Sequence, residues 1–211
     1  AVREAMRCMN CGNGASVSPE TCIACLTCVR VCPFEIPKIK EGDNFAYIDN
    51  DCQSCGMCVV ECPAKAIEFK GPYEDMGKDQ LQEVFNKAKT SEPLIINFYC
   101  SYNLDLALSK EELPENIKQV NLLSLGKLSP GLILDAFEKG ADGVLITSCD
   151  DSCHFGDSCN TWAEQRAETA MDFLTSIGIE KGRIKYHILP GQNGDSFLQT
   201  ANQLIEEIKK L

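Results

Sequence analysis

Eight cysteines in the first 62 residues repeat one pattern: Cys22, Cys25, Cys28 and Cys32 precede Pro33, and Cys52, Cys55, Cys58 and Cys62 precede Pro63. Thiolates are soft iron ligands, and C-x₂-C-x₂-C-x₃-C-P is the spacing that holds paired 4Fe–4S clusters. Three close thiolates cap three corners of one cubane. The fourth, set off by three residues and turned aside by proline, reaches the neighbouring cluster. The pattern therefore assigns Cys22, Cys25, Cys28 and Cys62 to one 4Fe–4S cluster, and Cys52, Cys55, Cys58 and Cys32 to the other. Two zinc knuckles or a disulfide scaffold are the competing readings. Zinc usually takes separated pairs of ligands, whereas three follow in quick succession here. One-electron chemistry is what such a pair of sites supports.

A second set of thiols follows later. Cys100 ends one apolar run, Cys149 ends another, and Cys153 and Cys159 lie shortly after it in a stretch rich in Asp, Ser and Gly. Four thiolates suit a 2Fe–2S cluster and equally a zinc ion, and ligand count does not choose between them. Buried structural cysteine is the bland alternative, reasonable for one of them and poor for three in an eleven-residue stretch. His154, beside Cys153, is a candidate mixed ligand, though with four cysteines at hand a solvated or outer-sphere role suits it better. His187 sits in a strand context, as core or surface. The remaining pair, Cys8 and Cys11, is a lone C-x₂-C and makes no site by itself.

The elements that must position these side chains follow from pattern. The two cysteine runs stand at a 30-residue offset, Cys22 to Cys52. Ile36, Ile39, Phe45, Tyr47 and Ile48 between them, with Ala64 and Ile67 after the second, supply apolar wrapping that would govern solvent access. Lys70-Gly71-Pro72-Tyr73 breaks the pattern as a linker. Leu81, Val84, Phe85 and Ala88 recur at helical spacing and predict a helix over about 78–90 packed between domains. From residue 93 strands alternate with helices: Leu94–Tyr99, Val120–Leu123, Val144–Thr147 and Ile184–Leu189 are the apolar runs. Ser129-Pro130 starts one helix, which Gly140 ends. Thr161 and Glu164 form a capping box for a second helix, with Ala163, Ala167, Ala170, Met171, Leu174 and Ile177 on one face. Phe197, Leu198, Ala201, Leu204, Ile205 and Ile208 mark a third.

The expected organisation is a C-x₂-C segment over 1–20, an α+β ferredoxin-like domain with two 4Fe–4S clusters over 21–71, a linker and connecting helix over 72–92, and an α/β domain over 93–211. The last carries a parallel, flavodoxin-like sheet of about four strands. In the order 2-1-3-4, Cys100 and Cys149 would face each other at the switch point, with a helix N-terminus near Cys159 favouring thiolate.

Composition bounds the function. The formal charge is −11, with 7 basic and 11 acidic residues in 1–75 and 13 and 20 in 76–211. That balance makes nucleic acid and anionic lipid poor partners and favours a basic face on another redox protein. Fourteen cysteines in a chain of 211 residues fit a reducing compartment, the cytoplasm, better than a secreted disulfide scaffold. No charged-then-apolar leader opens the sequence, and no apolar run is long enough for a membrane span. No G-x-G-x-x-G follows a strand, Leu125-Gly126-Lys127-Leu128-Ser129 lacks the glycines of a phosphate loop, and no triad or carboxylate pair is present. No bond-making chemistry is expected.

Two resemblances sharpen this. The runs Asn97-Phe98-Tyr99-Cys100-Ser101-Tyr102 and Asp135-Ala136-Phe137-Glu138-Lys139-Gly140-Ala141-Asp142-Gly143-Val144, with Cys149 and Cys153-His154, resemble the delta subunit of methyl-viologen-reducing hydrogenase over about residues 93–211. The resemblance implies an α/β module with a 2Fe–2S centre that links a hydrogenase or formate dehydrogenase to the flavoprotein of heterodisulfide reductase, in a hetero-oligomer. Where the family has a cysteine after the second strand this chain has Ser124, and Cys149 and Cys153 stand one residue closer than in many relatives. Cys159 is the thiol available for the missing place. Separately, Glu4-Ala5-Met6-Arg7-Cys8-Met9-Asn10-Cys11-Gly12 resembles segments bordering ferredoxin modules in glutamate-synthase-like flavoproteins, which implies a flavoprotein neighbour. The leading expectation is an electron-transfer subunit with two 4Fe–4S clusters and one 2Fe–2S cluster. Its rivals are a zinc-anchored docking module with an appended ferredoxin, and an FMN-binding electron carrier.

Overall fold

The chain separates into one unit over Ala1–Asp75 and a second over Met76–Leu211. The structure, a computed structural model, describes residues 14–69, 76–87, 92–100, 113–122, 124–150 and 155–211. Cys8, Cys11, the 70–73 linker, Ala88, Cys153 and His154 lie outside the described residues.

In the first unit, β1 (Ala15–Val17) pairs antiparallel with β2 (Ile67–Phe69), in the register Ala15↔Phe69 and Val17↔Ile67. Between them lie two one-turn helices, α1 (Thr27–Val31) and α2 (Met57–Glu61), and an isolated antiparallel bridge between Lys38 and Tyr47. The 30-residue duplication is written into the backbone. Ala24, Leu26 and Glu35 have φ of 51°, 64° and 54°, and Ser54, Gly56 and Lys65 repeat them at 57°, 88° and 50°. Leu26 and Gly56 are the left-handed residues from which the two helices start, and Cys32 and Cys62 end them in extended conformation. The proline after each cysteine demands that ending, because it disfavours helical dihedrals in its predecessor. Five-residue helices do not stand alone in water. What holds them is the packing around them.

The second unit is a four-stranded parallel sheet. Its strands are β3 (Ile95–Cys100), β4 (Ile117–Leu122), β5 (Gly143–Cys149) and β6 (Ile184–Leu189), in the spatial order β4-β3-β5-β6. In chain order this is 2-1-3-4, the order on which the expected switch point rests. Every residue of β3 and of β5 is buried, as suits central parallel strands that read as continuous apolar runs. The helix α3 (Met76–Lys87) packs on β4 and belongs to this unit, with Leu81 buried. It touches α4 (Pro130–Glu138), which in turn packs on α5 (Gly156–Ser176). The opposite face is covered by α6 (Gly194–Ile208), whose Phe197, Ala201, Leu204, Ile205 and Ile208 close on Ile95, Tyr99, Leu145 and Leu189. Ser129 caps α4 by accepting from Leu132 N–H at 3.1 Å, Pro130 is its first residue, and Gly140 leaves it at φ 104°.

Two expectations about α5 are corrected. The helix starts at Gly156, five residues ahead of the capping box at Thr161, and no side chain caps it. Buried Phe155 anchors its start, so tertiary packing overrides the local cap signal. Cys159 therefore lies within the helix. Ile177, expected on the apolar face, is 62% exposed, because α5 ends at Ser176 and the chain turns through Gly178 at φ 93°.

Candidate metal centres

Local structure in the first unit turns each cysteine loop into a cup. The left-handed residues Ala24 and Leu26 in one loop, and Ser54 and Gly56 in the other, curl the backbone into a concavity, the kind of turn that can receive anions and iron–sulfur clusters. One cup holds about 340 Å³ of space free of protein atoms and is lined by Cys22, Cys25, Cys28 and Cys62, with Val17, Ile23, Leu26, Ala46, Ala64 and Ile67 among its apolar wall. The other has about 350 Å³ of such space, its opening to solvent included, and is lined by Cys32, Cys52, Cys55 and Cys58, with Ala15, Phe34, Ile36, Ile48 and Phe69. Each cavity thus takes three cysteines from one run and the last cysteine of the other.

The donor chemistry fits a thiolate-ligated cluster. Ala46 N–H donates to the Cys22 sulfur at 3.4 Å and Ala66 N–H to the Cys62 sulfur at 3.3 Å, both in the first cavity. The Thr27 hydroxyl lies 3.3 Å from the Cys25 sulfur and holds that thiol below its ordinary value, while burial pushes the buried Cys28 up. Cys58 is pushed up far more, chiefly by burial and then by the charges of Cys55, Cys52, Cys32 and Cys28. A thiol raised in this way stays protonated until a cation shares its sulfur, and iron is such a cation. Gly14 belongs to the second cavity's support: a Cβ there would lie 2.9 Å from Cys52 Cβ. Nothing in the sequence pattern marked Gly14, Ala15, Val17 or Phe69, since three-residue strands are too short to show periodicity.

Three thiols of the second unit are described, all near the carboxyl end of the sheet, and among the described residues they form no metal-holding cluster. Cys100 and Cys149 are the last residues of neighbouring strands and are buried, as is Cys159 one turn into α5. Register qualifies the expectation that the first two face each other. Tyr99 pairs with Thr147, so side-chain alternation puts Cys149 on the α6 side with Leu145 and Leu189, and Cys100 on the other side with Ile96 and Phe98. The fully buried Ser124 follows β4, and its hydroxyl lies 3.3 Å from the Cys159 sulfur while accepting from Gly126 N–H at 3.0 Å. Ser124 and Cys159, the two residues weighed for one ligand place in the sequence, are direct neighbours.

Two further residues hold this edge and were not legible. Arg166, 4% exposed on the inner face of α5, donates to the carbonyls of Gly126 and Leu128 at 2.9 and 3.0 Å, tying the Ser124 turn to the helix that carries Cys159. Asn160 donates to the Cys149 carbonyl at 2.7 Å, and its own carbonyl accepts from the Tyr186 hydroxyl at 3.3 Å. Burial raises the Tyr186 phenol to about 12. His187 is half-buried between Ser196 and Thr200, at 3.4 and 3.2 Å, and burial lowers its pKa, so it stays neutral at pH 7. No described helix is long and apolar enough to cross a membrane.

Comparison with known proteins divides the chain at the same place. Residues 95–211 match the family described as methyl-viologen-reducing hydrogenase, delta subunit, and residues 21–67 match a 4Fe-4S dicluster domain. A ferredoxin:CoB-CoM heterodisulfide reductase subunit of Methanosarcina mazei is 30% identical over 205 residues, covering 94% of this chain and 25% of that protein. The vhc hydrogenase iron-sulfur subunit of Methanococcus voltae is 30% identical over 130 residues, covering 59% of this chain and 90% of that one. Ferredoxin-1 of Caulobacter vibrioides is 42% identical over 62 residues, 28% of this chain and 53% of its own. The chain spans about a quarter of the length of the heterodisulfide reductase relatives that it matches along most of its own.

Proposed function

The chain belongs to the family of the delta subunit of methyl-viologen-reducing hydrogenase, and from that premise we propose that it is an electron-transfer subunit of a multi-subunit oxidoreductase. In this reading Cys22, Cys25, Cys28 and Cys62 hold one 4Fe–4S cluster, and Cys32, Cys52, Cys55 and Cys58 hold another. Cys100, Cys149, Cys153 and Cys159 hold a 2Fe–2S cluster, with zinc as the alternative occupant. The clusters supply one-electron oxidation and reduction when bound. The chain's own residues do the rest. Thiolates anchor the metal, the N–H groups of Ala46 and Ala66 donate to sulfur, and the apolar walls limit water.

The observation that carries the reading is the pair of cavities, each edged by four cysteines drawn from both runs. The partners proposed are a flavoprotein of the heterodisulfide reductase type on one side and a hydrogenase or formate dehydrogenase on the other, in the cytoplasm. The names of the relatives support the heterodisulfide reductase and hydrogenase assignments.

Iron, zinc and acid-labile sulfide counts on anaerobically purified protein test the proposal. About ten irons are expected, the sum of two 4Fe–4S clusters and one 2Fe–2S cluster. Eight irons with one zinc would turn the second unit into a docking module, and a stoichiometric yellow chromophore would point to flavin. Cys149→Ser should remove a 2Fe–2S electron paramagnetic resonance signal and leave the cubane signals. Loss of the cubanes instead would contradict a separate site in the second unit.

A further inference from the structure

The two cavities differ at one position that sequence spacing treats as filler. Ala24 and Ser54 occupy equivalent places, each just before the second cysteine of its run, at φ 51° and 57°. Ala24 lines the first cavity and Ser54 lines the second. Ser54 is 4% exposed, and its hydroxyl has no hydrogen-bond partner among the described residues. Such a group is costly, because a buried hydroxyl left unpaired gives up the hydrogen bonds it would make to water. A serine normally satisfies itself on nearby backbone, and this one does not. The cavity that Ser54 lines is lined also by Cys52, Cys55, Cys58 and Cys32, and toward thiolate or cluster sulfur a hydroxyl can only donate.

Resting on the reading that a 4Fe–4S cluster occupies this cavity, we infer that the Ser54 hydroxyl donates a hydrogen bond to a sulfur of that cluster or of its thiolates, and so makes it easier to reduce. Reduction adds negative charge to the sulfurs, and a donor in a low-dielectric cavity stabilises the more negative form. The first cavity has a methyl group at the same place. Ser54 therefore offsets the deeper burial of the second centre, which by itself disfavours the added charge.

The test is a redox titration of the anaerobic full chain followed by electron paramagnetic resonance, with Ser54→Ala and Ala24→Ser side by side. Ser54→Ala should shift the reduction equilibrium of one 4Fe–4S centre toward the oxidised form by three- to tenfold, the latter being about 59 mV for one electron. The other centre should stay within error. Ala24→Ser should move the opposite centre toward the reduced form. Unchanged midpoints in Ser54→Ala with full iron content would overturn the inference while leaving the proposed function standing. If Ser54→Ala loses iron, Ala24→Ser decides alone, and an unmoved midpoint there overturns it. A wild-type chain with fewer than eight irons would overturn both.

Discussion

The two cysteine loops of the first unit share a backbone and differ in their walls. Along the first, Ile23 is 65% and Leu26 41% exposed, and Cys25 also faces solvent. Along the second, Ser54, Cys55, Gly56, Met57 and Cys58 are all buried. The repeated dihedrals show that ligand spacing dictates the cup, while the residues between the cysteines decide how wet it is. Left-handed backbone at position 26 is held by leucine at some steric cost, and at position 56 by glycine at none. One duplication has yielded two similar cups in dissimilar surroundings, which is how a protein gives one kind of cluster two potentials.

The largest effect expected comes where the two loops exchange a cysteine. Cys62 belongs by sequence to the second run yet lines the first cavity, and Cys32 does the reverse. Cys62→Ser should abolish the centre ringed by Cys22, Cys25 and Cys28 and spare the other; Cys32→Ser should do the opposite. Iron content should fall by about four per chain in each case. If each variant instead loses the centre of its own run, the crossed assignment is wrong. Next in size is a difference of rate. The exposed loop should make the first centre yield to ferricyanide several-fold faster than the second, judged by which Cys→Ser variant removes the fast phase. A single rate for both would mean that the wall difference has no chemical consequence.

The second unit stands in contrast, because its cysteines are placed by tertiary structure and not by spacing. Much of that structure was legible. Four apolar runs separated by helices gave four parallel strands, and Ser129-Pro130 marked a helix start that the Ser129 cap makes good. The order 2-1-3-4 put Cys100 and Cys149 on neighbouring strand ends, but which face each takes depends on register, and apolar runs buried on both faces carry no alternation to read. The start of α5 was hidden because Phe155 fixes it by burial, whereas Thr161 imitates a cap. Arg166 was invisible for a related reason: an arginine on a helix reads as surface until two buried carbonyls are found beneath it. Its replacement tests whether placement in this unit is as global as it looks. Arg166→Met should lower stability by about 2–3 kcal/mol, the worth of charged hydrogen bonds to buried acceptors. Thermal melting with the cubane signals as internal control would measure it. An unchanged melting temperature would deny Arg166 any structural role.

The smallest effect returns to the two cups and to the support behind one of them. Gly14 stands against Cys52, where a Cβ would come within 2.9 Å of the cysteine Cβ and 3.5 Å of its sulfur. Thirty residues on, the equivalent place in the repeat is taken by Asn44, which is exposed. At this place in the repeat, glycine stands behind the second cup and asparagine behind the first. Gly14→Ala should push Cys52 by a few tenths of an ångström and cost about 1–2 kcal/mol, in the range of mild overpacking. The consequence should be confined to one centre: iron lost faster to a chelator from the Cys32, Cys52, Cys55 and Cys58 site, with the other site keeping its wild-type rate. Asn44→Ala, at the corresponding position, should change neither. Equal loss from both sites in Gly14→Ala would mean that the strand pair β1–β2 had failed as a whole, and that the glycine serves the fold and not the cysteine it touches.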